Sequence, residues 1–253
     1  KMSTSYSSSP DQVELTAQRS NAPAEGERRA LRGYTRQYSS AAAAIYHGLQ
    51  RGDLRWVGLA DPRAGIADDV VLGYDNEAIG HQFKSSRDPG AFRIGTLLSG
   101  ANGLLPGLVR AWQELKVSCP GLRIRLRLVV SDSPSDTDRF GDADGTTRQF
   151  VADWQAQPEC TLQQWGSTPW SVFIDELRMA SGLPDDEFER FFQHLELVHG
   201  DQPDFAARFG ITDRTQAQVD RIAERLPSLV AMVPEKYRWT RSEFLREMGW
   251  QDN

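Results

Sequence analysis

Two short apolar runs, residues 69–74 and 78–85, flank the turn residues Asp75 and Asn76, and this arrangement predicts a tight antiparallel hairpin. Side chains alternate along a strand, so Ile79, His81 and Phe83 share one face while Gly80, Gln82 and Lys84 share the other. Across the turn, Asp69 lies near position 82 or 84. A carboxylate, an amide oxygen and an ammonium gathered at a sheet edge suit a divalent cation and an oriented water. In such a site Asp69 binds the metal, and Gln82 with the main-chain carbonyl of Phe83 completes the oxygen set. Lys84 helps to position or deprotonate water and offsets charge in the transition state. The plainer alternative is a surface salt bridge between Asp69 and Lys84. His81 falls on the Phe83 face and reads as a packed histidine.

Around the hairpin, spacing by threes and fours of Leu31, Tyr34, Tyr38, Ala41, Ala42, Ile45 and Leu49 predicts an amphipathic helix ending before Gly52. Residues 54–59 read as a strand, 104–116 as a helix, and 122–131 as a strand alternating Arg123, Arg125 and Arg127 with Ile124, Leu126 and Leu128. The order to that point is α-β-β-β-α-β. Beyond a loop at 131–145 the pattern reads as helical, with candidates at 149–155, 169–179, 184–197, 215–232 and 240–248. Three regions are therefore expected: a polar tail at 1–28, an α/β core at 29–155, and a mainly helical region at 156–253. The last is a candidate linker to a further domain of a larger protein.

Composition limits the function. The formal charge is −6, which argues against a broad basic surface for nucleic acid and requires any such site to be local. Local candidates are Arg28, Arg29, Arg32 and Arg36; Lys84, Arg87 and Arg93; and Arg123, Arg125 and Arg127. Taken alone, each reads as a solvated face before a phosphate contact. No apolar run approaches the roughly 20 residues of a membrane span, and the start lacks the basic and apolar parts of a secretion signal. With only Cys119 and Cys160 as cysteines, a reducing, cytoplasmic setting is expected and no membrane partner. No phosphate-binding loop of the G-x-x-x-x-G-K-[ST] kind is present, so an ATPase would lie outside this chain. Histidines and cysteines lack zinc spacing, and the acidic loop Asp132, Asp136, Asp138, Asp142 and Asp144 lacks the ordered ligands of a calcium loop. The tryptophans Trp154, Trp165, Trp170, Trp239 and Trp250 read as core or as interface anchors.

Gly33-Tyr34 with Gln37, Asp68-Asp69-Val70-Val71-Leu72, His81-Gln82-Phe83-Lys84-Ser85 and the later Arg127-Leu128-Val129-Val130-Ser131-Asp132 together resemble the nuclease domain of Mrr-like restriction endonucleases. They are more similar still to effector nucleases of bacterial antiphage proteins, associated with CBASS or with STAND NTPases. The resemblance spans residues 29–155. It implies a PD-(D/E)xK restriction-endonuclease-like core, a mixed central sheet flanked by helices. It also implies Mg²⁺ (or Mn²⁺) as cofactor, cleavage of double-stranded DNA, a homo-oligomer, and a sensor or STAND NTPase region on the same or a partner chain. Gln82 stands where many members carry Glu or Asp, which leaves one negative ligand fewer. The implied catalytic residues are Asp69, Gln82 and Lys84, and the implied metal-binding groups Asp69, Gln82 and Phe83. Gln37, Asp68, Ser85 and Arg87 are candidates for supporting the ligands or touching DNA, and the Asp68-Asp69 doublet leaves the ligand's identity open. Two further readings are a catalytically silent nuclease-like module for oligomerisation and a DNA-binding module without cleavage.

Overall fold

The computed structural model describes residues 23–67, 69–84, 90–98, 104–140, 145–200, 209–232 and 236–251, with side chains from residue 37 onward apart from Met232. Helix α1 (Pro23–Arg51) ends at Gly52, whose φ of 83° a side chain would resist. Strands β1 (Leu54–Leu59), β2 (Val70–Tyr74) and β3 (Glu77–Lys84) follow as an antiparallel meander, with the predicted turn at residues 75–76. After the short β4 (Ala91–Phe92) and α2 (Leu104–Ser118), strand β5 (Arg123–Val130) returns parallel to β3. The short β6 (Ser133–Pro134) pairs with β4.

The remainder is mainly helical, as expected, but it also supplies two strands. Helices α3 (Thr147–Ala156), α4 (Leu162–Trp165), α5 (Ser171–Ser181) and α6 (Asp185–Gln193) lead into strand β7 (Leu195–His199). Helix α7 (Asp213–Met232) leads into β8 (Arg238–Thr240) and α8 (Arg241–Met248). The helix expected over 184–197 thus stops at Gln193. Phe188, Phe191, Phe192 and Leu195 continue the helical period, but Leu195–His199 instead pairs in parallel with β5. The Leu126 N–H closes that junction on the His194 carbonyl.

One six-stranded mixed sheet results, in the order β7-β5-β3-β2-β1-β8, with helices on both faces. Both edge strands come from the region expected to be helical. One face buries Leu108, Leu115, Leu126, Phe150 and Trp165 under α2 to α6; the other buries Ile45, Leu72, Ile79, Ile222 and Phe244 under α1, α7 and α8. Trp154, Trp165, Trp170 and Trp239 are all core residues, and Trp250 is partly buried. Gly80 brings α2 close to the sheet: a Cβ there would lie 2.9 Å from Leu115. No described helix is long and apolar enough to cross a membrane.

Candidate active site

Strand register creates the central contact. Val70 pairs with His81, so Asp69, one residue before β2, stands opposite Gln82. Asp69 Oδ2 accepts from Gln82 Nε2 at 2.5 Å and from the Phe83 N–H at 2.7 Å. The β2–β3 pairing ends at Val70–His81, and the Asp69 carboxylate satisfies the Phe83 N–H just beyond it. Gln82 is only 6% exposed, which an amide tolerates when it is hydrogen-bonded. Its Nε2 also lies 3.4 Å from the Phe83 carbonyl oxygen. The amide nitrogen therefore faces two of the three expected ligand oxygens. A half-turn of the amide would present Oε1 instead of Nε2. Carboxylate, amide and carbonyl form a hard oxygen set that fits Mg²⁺ or Mn²⁺ better than a softer metal.

Lys84 is exposed at the end of β3, and its carbonyl accepts from the Ser131 N–H at 3.0 Å as the chain leaves β5. Among the described residues it forms no ion pair with Asp69, whose Oδ2 is engaged by Gln82 and Phe83. Gln37 and Asp69 line the same cleft, of about 260 Å³, together with Tyr38, Ala41, Leu59, Ala60, Leu226 and Val230. The structure thus gathers Asp69, Gln82 and Phe83 directly and brings Gln37 to the same edge. Asp68, Ser85 and Arg87 lie outside the described residues, as do the side chains of Arg28, Arg29, Arg32 and Arg36.

His81 is fully buried. Its Nδ1 faces the Val70 carbonyl at 3.3 Å and its Nε2 faces Arg127 Nη1 at 3.2 Å. Burial, then the charge of Arg127, holds its pKa well below the ordinary 6.5, so the ring is a neutral packed group as its strand face predicts. The alternating arginines of β5 are not an open basic face. Arg123 and Arg125 pair with the buried Glu77 at 3.1 and 3.6 Å, and Arg127 pairs with Glu196 at 2.8 Å. In the acidic loop, Asp138 accepts from the Thr147 N–H and hydroxyl and Asp132 from the Gly90 N–H, while Asp142 and Asp144 lie outside the described residues. Among the described residues no three His, Cys, Asp or Glu side chains converge as a metal cluster.

A second polar group at this edge has no counterpart in the sequence reading. Asp61, entirely buried, accepts from Arg63 Nε at 2.8 Å and from Arg238 Nε at 2.7 Å. Burial alone would raise its pKa, but the hydrogen bonds from Arg63 and Arg238 outweigh that and hold the carboxyl below its ordinary value. Asp61 and Arg238 lie 177 residues apart, and neither belongs to a recognisable local motif. No signal in the one-dimensional pattern links them.

No family model and no curated protein matches the chain. Four chains of solved structures match. One is the Acinetobacter baumannii Cap4 SAVED/CARF-domain containing receptor with the cyclic trinucleotide 3′3′3′-cAAA, at a TM-score of 0.44 and 10% identity. That match covers 84% of this chain and 43% of the receptor chain, so this chain spans less than half of the receptor's length.

Proposed function

We propose that the edge formed by Asp69, Gln82, Phe83 and Lys84 is the active site of a metal-dependent endonuclease that hydrolyses phosphodiester bonds of double-stranded DNA. The observation that carries this reading is the strand register that brings the Asp69 carboxylate to the Gln82 amide and the Phe83 main chain at one end of the sheet, beside the exposed Lys84. Asp69, Gln82 and the Phe83 carbonyl are the groups that would hold a divalent cation. Such a cation, when bound, polarises a phosphoryl oxygen and lowers the pKa of a bound water. The exposed Lys84 ammonium offsets charge building on the attacked phosphate and holds the water for attack. Gln37 supports substrate from the α1 side of the cleft. The resemblance to Mrr-like and antiphage effector nucleases supports duplex DNA as substrate and a role in defence. One such edge cuts one strand, so duplex cleavage requires two copies facing opposite ways, which makes a symmetric dimer the working form.

Plasmid nicking in Mg²⁺ or Mn²⁺ tests the reading. Lys84→Ala is expected to lower cleavage at least ~100-fold, in line with the loss of one charge-stabilising group. Asp69→Asn keeps an acceptor for the Phe83 N–H while losing the charge, so it separates metal binding from folding. Full cleavage by Lys84→Ala would sink the proposed site. A catalytically silent module is the second reading, favoured by Gln82 turning Nε2 rather than Oε1 toward Asp69. Calorimetry decides between them: no heat from Mn²⁺ with the parent protein would establish the silent module.

A further inference from the structure

We infer that Asp61 is a positioning residue for Asp69: the ion triad that the buried Asp61 forms with Arg63 and Arg238 sets the loop that delivers Asp69 to Gln82 and Phe83. Leu59 and Val70 are paired, so the connecting loop, which carries a 3-10 helix at Pro62–Ala67, leaves and re-enters the sheet at one pair of residues. The loop begins with Ala60 at a φ of 47°, the one non-glycine residue with positive φ among the described residues, in a region costly for a side chain. Ala60 lines the same cleft as Asp69. Something must hold the chain there, and the next residue does so. Asp61 accepts from the backbone N–H of Arg63 at 3.1 Å as well as from its guanidinium, and its carbonyl accepts from the Ala64 N–H.

Arg238 then ties this turn to two other elements. It reaches Asp61 from β8, its Nη2 lies 3.3 Å from the Ser118 hydroxyl at the end of α2, and its guanidinium lies 4.3 Å from the Trp56 ring centre. The loop is thereby fixed to the sheet edge and to the helix at once. Asp69, at its far end, places a single oxygen against two donors, a geometry that a shift of ~1 Å would lose.

The test compares Asp61→Asn and Arg238→Gln with Glu77→Gln in the full chain. Glu77 is also buried and paired with arginines, but at the opposite end of β3. Native-state amide exchange in metal-free protein follows the Phe83 N–H, bonded to Asp69, against the Leu126 N–H, bonded to His194. Asp61→Asn and Arg238→Gln are expected to speed exchange at Phe83 at least tenfold more than at Leu126, whereas Glu77→Gln moves both together. Parallel shifts at the two amides in Asp61→Asn overturn the inference. The activity arm rests on the proposed nuclease reading. In Mn²⁺-dependent cleavage, Asp61→Asn is expected to lower kcat about tenfold at unchanged KM, and a parental kcat would also overturn the inference. A parent protein that neither binds Mn²⁺ nor cuts DNA removes the nuclease reading alone, because the exchange result stands without metal.

Discussion

At the residue scale, close approaches that only glycine permits shape this edge of the sheet. A Cβ at Gly73 would lie 2.0 Å from the Trp56 indole, which also faces the Arg238 guanidinium. Gly73→Ala must push the indole out of place, and overpacking of this kind costs about 1–3 kcal/mol. Urea denaturation should show that loss in the midpoint with an unchanged slope. Because the displaced indole carries Arg238, the same substitution is expected to weaken cleavage more than its stability cost alone explains. Asp69 is also defined at this scale: it occupies the position where the β2–β3 ladder stops, so one carboxylate both ends the strand pairing and faces the Gln82 amide.

At the element scale, the β2–β3 hairpin was legible because its evidence is local: alternation, a two-residue turn and a doublet of acids, all within residues 68–84. The same alternation placed Gln82 opposite the His81 face, as found. Strands β7 and β8 were not legible. Five and three residues long, they are defined by pairing with β5 and β1 rather than by their own pattern. The spacing through Phe188, Phe191, Phe192 and Leu195 fits a helix as well as a strand entry. The Asp61 clamp escaped for the same reason, since its partners meet only when β8 joins β1. This clamp also sets a pH response. Asp61 and Glu77 both titrate lower in the folded protein than their ordinary 3.8 and 4.5, so the stability they contribute is complete above those values and is lost as pH falls below them. A urea-midpoint series from pH 7 to pH 3 should therefore drop below about pH 4.5. Asp61→Asn should flatten that drop while lowering stability at pH 7 by about 3 kcal/mol, the usual scale for breaking a buried ion pair.

At the scale of the whole molecule, strand pairing and ring packing continue across the boundary expected at residue 155. Trp154 of α3 stacks on Phe192 of α6 with ring centres 4.8 Å apart, and both sheet edges are supplied from beyond residue 156. A protein ending at residue 155 is expected to show no cooperative urea transition and no near-ultraviolet circular dichroism of packed tryptophans. A sharp transition would show that the first part folds alone. The position of Arg238 has a consequence during synthesis. A ribosome that has released residues 1–200 has already released Asp69, Gln82 and Lys84, but not the arginine that anchors Asp61. The loop bearing Asp69 remains unlatched on every nascent chain until β8 emerges, so the order of translation delays completion of this edge well beyond synthesis of the residues that form it.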